Sequence, residues 1–416
     1  MAASGPLGGK KSGRNAAPAI FTLLASLLCC AGCHAAPSAS FIPANDPLLE
    51  WTGRRIPASG GQGWSIDWEG TRMRATVCNA TSVGAVITDT TAGGARFGVW
   101  LNTTSNASDP QAAPLHVPDL RVATFFTTEG ASLSYALASR SAIKQAACVT
   151  YTLQLLIEPA FIQDDSPSHV LTVEGLRTDG RLVATPEPAA RRSMEILGDS
   201  LTAGYGAGFD LPHAQSKTCS GGGLTDDQGT SYGALLCANF SARCTMEAVS
   251  GVTLYTGRGF NLPLTWDWEL GGMLQNKWPA GSMVPYDASR FQPDAVLINL
   301  GENDWGGGRC GTTPGCPANF TRAYVEYVHH MSEVYAKAGK KEAITFFLTI
   351  GPHEHGQSAA ILPAVEQLKA SGVKALFLNA TVPDYGTIGC GGHPGITIHH
   401  ASFMRAQPVI AAAMGW

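Results

Sequence analysis

The stretch Met194-Glu195-Ile196-Leu197-Gly198-Asp199-Ser200-Leu201-Thr202-Ala203-Gly204-Tyr205-Gly206 decides how this chain is read. A short apolar run, Met194–Leu197, stops at a turn that carries a serine, and glycines follow at positions 204 and 206. Such a run reads as a buried strand. Open α/β sheets bind ligands beyond the carboxyl ends of their strands, so Ser200 stands where a nucleophile is useful.

Downstream of this stretch, apolar strands alternate with helical segments. Strands are expected at Met194–Leu197, Cys244–Val249, Ala295–Leu300, Ile344–Ile350 and Ala375–Leu378, and helices at Ser231–Phe240, Asn319–Lys337, Ser358–Ser371 and His399–Met414. In the second helix Phe320, Tyr324, Val328, Met331 and Tyr335 recur at helical spacing and make one apolar face. This alternation predicts an α/β domain around a parallel sheet covered on both faces. Upstream the texture differs. Short β-forming runs such as Met73–Val77, Ser82–Thr88, Arg96–Leu101 and Cys148–Glu158 are separated by Gly, Asn, Asp and Pro, which reads as a β-sandwich. The expected organisation is a signal over 1–36, a loose lead-in over 37–50, a sandwich over 51–180, a linker over 181–192 and the α/β domain over 193–416.

Composition sets the class. The 416 residues are 44% hydrophobic and 14% charged with a net charge of −4, so the chain builds large cores and shows no basic stripe for nucleic acid. Lys10, Lys11 and Arg14 precede an apolar run, Ala17–Leu28, and small residues follow at Cys33 and Ala35, which is the pattern of a secretory signal. That run is short for a bilayer span, and no later stretch is apolar enough, so no stable membrane insertion is expected. Six of the twelve asparagines (79, 102, 106, 239, 319 and 379) open Asn-x-Ser/Thr triplets, a density that points to N-glycans and a secreted protein. Eight cysteines lie beyond the signal, an even set suited to an oxidising compartment. Cys78 with Cys148 and Cys310 with Cys316 are the expected pairs; the remaining connectivity is open.

Four strand ends carry chemistry. Gly198-Asp199-Ser200 follows the first strand, Ser250-Gly251 the second, Gly301-Glu302-Asn303-Asp304 the third, and Cys390-Gly391-Gly392-His393-Pro394 lies beyond the last. The topology brings these ends to one crevice. Acyl transfer to a serine needs a base near neutral pH, which His393 offers. It also needs fixed donors for an oxyanion, and the Ser200 and Gly251 N–H groups and the Asn303 amide can supply three. Asp199 and Asp304 read as structural groups that hold their turns. No cofactor or metal is called for: the cysteines and histidines lack metal-ligand spacing, and the triple glycine at 221–223 lacks a phosphate-loop ending.

In this order the four blocks resemble those of the SGNH (GDSL) hydrolases. Trp51-Thr52-Gly53-Arg54-Arg55, Ile66-Asp67-Trp68-Glu69-Gly70, the stretch from Ile196 to Gly206, and Phe291-Gln292-Pro293-Asp294-Ala295 onward resemble carbohydrate esterase family 2. The resemblance implies an N-terminal jelly-roll-like sandwich, then a flavodoxin-like domain with a five-stranded parallel sheet. It further implies an esterase that removes acetyl groups from carbohydrate, with Ser200 and His393 catalytic. Two departures stand out. The family's usual aspartate three residues before the histidine is replaced by Cys390, leaving a backbone carbonyl or Asp384 to orient His393. The aromatic often found just before the histidine is Gly392, so Trp305 becomes the candidate sugar platform.

Overall fold

Two antiparallel sheets precede one parallel sheet. The computed structural model describes residues 39–59, 61–90, 94–102, 121–128, 132–138, 148–156, 171–186, 192–208, 210–212, 226–256, 261–270, 284–306, 309–383 and 387–416. The expected signal segment, Cys219, Asp384 and the triplet at Asn106 lie outside them. Among the described residues, no helix is long and apolar enough to cross a membrane.

The first part comprises β1 (Ser40–Pro43), β2 (Glu50–Thr52), β3 (Ile56–Pro57), β4 (Trp64–Ile66), β5 (Arg72–Cys78), β6 (Val83–Asp89), β7 (Arg96–Asn102), β8 (Arg121–Phe126), β9 (Ser132–Ala136), β10 (Cys148–Leu155), β11 (Leu171–Thr178) and β12 (Arg181–Val183). One sheet runs β3-β4-β11-β6-β9 with β1 on β11; the other runs β12-β5-β10-β7-β8 with β2 on β5. Their facing side chains, among them Ile66, Met73, Ile87, Phe97, Val99, Tyr151 and Leu176, form one buried core. Cys78 and Cys148 face each other directly across β5 and β10 and are joined by the expected disulfide.

The expected lead-in is corrected here. Ser40–Pro43 is a strand paired with Gly175–Thr178, and this pairing needs a bare backbone: a Cβ on Gly175 would collide with the Ile42 carbonyl. The expected linker likewise begins as strand, with Arg181–Val183 paired to β5. A Pro/Ser/Ala-rich segment has no periodicity of its own, so only the open edge of β11 makes it a strand.

The second part comprises β13 (Ser193–Gly198), β14 (Leu211–Pro212), β15 (Arg243–Ala248), β16 (Ala295–Asn299), β17 (Thr345–Ile350), β18 (Ala375–Asn379) and β19 (Thr387–Ile388). The parallel sheet has the order β15-β13-β16-β17-β18, while β14 and β19 pair separately. In chain order that is 2-1-3-4-5, the flavodoxin-like arrangement, whose switch point lies between β13 and β16. Alternate residues feed opposite layers. Leu197, Ile298, Phe346 and Leu348 pack under helices Cys316–Lys337 and Ser358–Ala370. Met194, Ile196, Leu297 and Phe347 pack under helices Tyr232–Asn239 and Ile396–Met414.

The longest helix starts at Cys316, three residues before its expected start, because Pro317 sits in the first turn, where its missing N–H costs nothing. Phe320, Tyr324, Val328, Met331 and Tyr335 are fully buried, each burial contributing about 1.5–3 kcal/mol as an upper bound. Cys310–Cys316 forms as expected, Cys237–Cys244 adds a third bridge, and Cys390 is also disulfide-bonded.

The sandwich is keyed into the α/β domain by Arg54. Gly53 (φ +102°) turns the chain tightly against Thr71 and delivers the Arg54 guanidinium beneath the parallel sheet. There it lies 3.2 Å from Glu195 on β13 and 3.2 Å from Glu247 on β15, with all three side chains buried. It also donates to the carbonyls of Trp266 and Trp268 and lies 3.7 Å from the ring centre of Tyr286. Glu195 is further held by Trp266 Nε1 (3.0 Å) and the Tyr335 hydroxyl (2.8 Å). Burial pushes Glu247 well above the carboxylate range despite Arg54, whose one charge is shared between two buried carboxyls. Trp68 completes the key, donating Nε1 to the Glu269 carbonyl at 3.0 Å. Trp68 and Trp100 are both buried.

Candidate active site

Strand register assembles the site. Gly198 at the end of β13 pairs with Ala248 of β15 on one side and Asn299 of β16 on the other. The segments Asp199-Ser200, Ser250-Gly251 and Gly301–Asp304 therefore leave the sheet together, at the switch point. Ser200 opens a one-turn helix, Ser200–Ala203, capped by Asp199, whose carboxylate accepts the Leu201 N–H at 3.0 Å. Ser200 is buried, 4% exposed. Its Oγ lies 2.9 Å from His393 Nε2.

His393 arrives from the far end of the chain, on the loop after β19. Its Nδ1 faces the Gly391 carbonyl at 3.3 Å, so the ring is oriented by backbone. The Gly391 φ of +65° turns that carbonyl toward the ring. Asp384, the other candidate orienter, lies outside the described residues. Burial of the imidazole lowers its affinity for a proton, and the Gly391 carbonyl partly restores it. A neutral His393 is the form that can accept the serine proton. We therefore predict that kcat/KM for an acetate ester rises with pH through an apparent pKa below the ordinary histidine value of 6.5. A pH–rate profile in a constant-ionic-strength buffer checks this; an acid limb above that value contradicts it.

The Asn303 amide donates to the Val252 carbonyl at 2.9 Å, fixing its head beside the Ser250-Gly251 turn. Gly251 has φ +82°, which only glycine adopts without strain. Asp304 holds the following loop with both oxygens, accepting N–H groups of Leu254, Tyr255 and Thr256 at 2.8–2.9 Å. Asp199 is pushed well above its ordinary range by burial, with Glu302 adding to the effect, and makes no contact with His393.

Trp305 is not at the surface. It is 5% exposed and packs edge-on against Phe320, with ring centres 4.6 Å apart, so it serves the core and offers no face to a sugar. The helix that begins just beyond the site turns it inward. His399 is also a packing residue: fully buried, stacked on Tyr232, and pushed down to about 3 by burial. His355 is exposed and paired with Glu302 at 2.7 Å, whereas His353 lies close enough to His393 to lower its own proton affinity, to about 4, mainly through burial. Among the described residues, no group of three or more His, Cys, Asp or Glu is arranged to hold a metal ion.

Tyr205 belongs to none of the four strand-end blocks as a chemical group, yet the structure brings it to the site. Its ring lies 4.5 Å from that of His393, tilted by 48°. The signal was available in the glycines flanking it, 204 and 206, which allow close backbone approach on both sides.

Residues 196–382 match the GDSL-like Lipase/Acylhydrolase family. A cellulase/esterase, CelE, from Acetivibrio thermocellus is 27% identical over 248 residues, 57% of this chain and 27% of the relative. The chain thus spans about a quarter of the length of that curated relative. A family two carbohydrate esterase from Clostridium thermocellum, solved with cellohexaose, superposes with a TM-score of 0.69 at 21% identity, covering 88% of this chain and 99% of that one. An acetyl xylan esterase, Est2A, from Butyrivibrio proteoclasticus gives 0.71 at 17% identity, covering 91% and 99%. Residues 196–382 are thus similar to the GDSL-like lipase/acylhydrolase family, and the chain shares the fold of family 2 carbohydrate esterases.

Proposed function

We propose that this chain is a secreted, N-glycosylated serine esterase that removes O-acetyl groups from carbohydrate. The observation that carries the reading is the 2.9 Å contact between Ser200 Oγ and His393 Nε2, with Nδ1 engaged by a carbonyl. Ser200 Oγ attacks the acetyl carbonyl carbon as its proton passes to His393 Nε2. The oxyanion takes hydrogen bonds from the Ser200 and Gly251 N–H groups and the Asn303 amide. Collapse breaks the bond to the sugar oxygen, which receives the proton from His393 and leaves. Water, deprotonated by His393, then releases acetate from the acetyl-serine. His393 and a carbonyl suffice for this, because the carbonyl fixes the ring and its tautomer while burial keeps it neutral.

Acetylated carbohydrate as substrate is supported by the company the fold keeps: similar chains are described as an acetyl xylan esterase and as an esterase bound to cellohexaose. The lipase/acylhydrolase match of the domain favours a second reading, longer acyl esters. Time-resolved NMR of acetate release from a panel of acetylated xylans and glucomannans tests the first reading. A rate series from acetate to octanoate esters separates the two. Rates falling steeply with chain length support the acetyl esterase; a maximum at octanoate, with no acetate released from any polysaccharide, replaces it with the lipase-like reading.

A further inference from the structure

We infer that the β-sandwich positions the general base: Arg96 and Arg121, on β7 and β8, hold the Tyr205 turn against His393 through Asp226 and Asp227. This rests on the esterase reading above and extends it to a part of the chain that touches neither Ser200 nor His393.

The contacts form a continuous chain. Arg121 Nη1 bonds the Asp227 carboxylate, and Arg96 Nη2 approaches the same oxygen at 3.8 Å. Arg96 Nη1 donates to the Asp226 carbonyl at 2.9 Å. These side chains are mostly buried, the Asp227 carboxylate being 4% exposed, so the pairs are sheltered from solvent screening. The two aspartates grip the turn after Ser200 from both ends. Asp227 N–H donates to the Gly204 carbonyl at 3.0 Å, and Asp226 Oδ1 accepts the Gly206 N–H at 2.9 Å. Between these two anchors stands Tyr205, with its ring on His393.

The turn then holds the histidine loop. The Gly206 carbonyl accepts the Cys390 N–H at 3.4 Å, and the Cys390 carbonyl accepts the His393 N–H at 3.2 Å. The approach is close on both sides: a Cβ on Gly206 would lie 2.6 Å from the Cys390 carbonyl oxygen, and one on Gly389 would lie 2.3 Å from the Gly206 carbonyl oxygen. No carboxylate among the described residues bonds His393 Nδ1, so the ring depends on Gly391 and on this packing for its aim. Misplacement by about 1 Å costs on the order of 100-fold in rate.

The experiment combines kinetics with histidine-ring NMR of the full chain. Arg121→Ala is expected to lower kcat on an acetate ester about 10- to 100-fold, with KM within twofold. The His393 ring should titrate at a higher pH than in the parent protein, because loosening Tyr205 lets water reach an imidazole whose neighbours are Ser200, the Gly391 carbonyl, Tyr205 and His353. Asp227→Asn should reproduce both effects, and the double variant should be no worse than the stronger single one. Arg177→Ala, a surface arginine on β11, serves as control. If Arg121→Ala fails to fold, Arg121→Lys, which keeps the charge but loses the fork, takes its place with a smaller shift in the same direction. A folded variant with unchanged kcat and unchanged His393 titration overturns the inference. The NMR arm does not depend on turnover: if the parent hydrolyses no ester, the functional reading fails while the positioning of His393 is still decided.

Discussion

Ser200→Ala is expected to lower ester hydrolysis by on the order of 10⁴- to 10⁶-fold while the protein keeps its fold and its melting behaviour. The size of the effect follows from the geometry. Only one oxygen is removed, from a small buried side chain, so packing changes little. That oxygen is the one facing His393 Nε2, and without it neither a covalent acyl intermediate nor the proton transfer exists. What remains is the oxyanion donors acting on a water attack. Initial rates on 4-nitrophenyl acetate and intact-mass measurement after a fluorophosphonate probe check it. The parent should gain one adduct and the variant none. Substantial activity in Ser200→Ala would place the nucleophile elsewhere and undo the assignment of His393 with it.

Arg54→Ala is expected to destabilise the whole described chain by about 3–5 kcal/mol, seen as a large drop in thermal midpoint. Truncation leaves Glu195, whose side chain is fully buried, without its cation, and removes the guanidinium that joins the sandwich to Trp266 and Trp268. The sign of the pH dependence distinguishes this from simple loss of packing. In the variant, Glu247 loses the cation that opposes the effect of its burial, so its folded-state affinity for protons rises further. Such groups favour folding below their unfolded-state pKa, and that advantage is lost as pH rises through the folded value. The deficit of Arg54→Ala should therefore be least at acid pH and grow toward neutral. Adding Glu195→Gln should recover part of it. Melts across pH for the three proteins test this; a pH-independent deficit would mean that Arg54 acts by packing alone.

Much of the fold was legible because it rests on local signals. The switch from period 2 to period 3.6 at Ser193 marks the change of architecture, and each parallel strand reads as a short apolar run because both its faces are covered. The strand at Ser40–Pro43 was not legible, since its pairing is supplied by the edge of β11 and not by its own residues. Trp305 shows the converse limit. Its position next to Asn303 suggested the crevice, but the turn of helix it sits in points the indole at Phe320.

The sequence by itself determined the candidate nucleophile, the order of the four strand-end blocks and the two layers of helices, because motifs and periodicities lie within a few consecutive residues. Only the tertiary structure decided what surrounds them. Ser200 meets His393 across 193 residues, Arg54 meets Glu195 across 141, and Arg121 meets Asp227 across 106. No periodicity records such pairs. Burial then sets their chemistry, lowering the proton affinity of His393 and raising that of Glu247, and burial is a property of the packed chain.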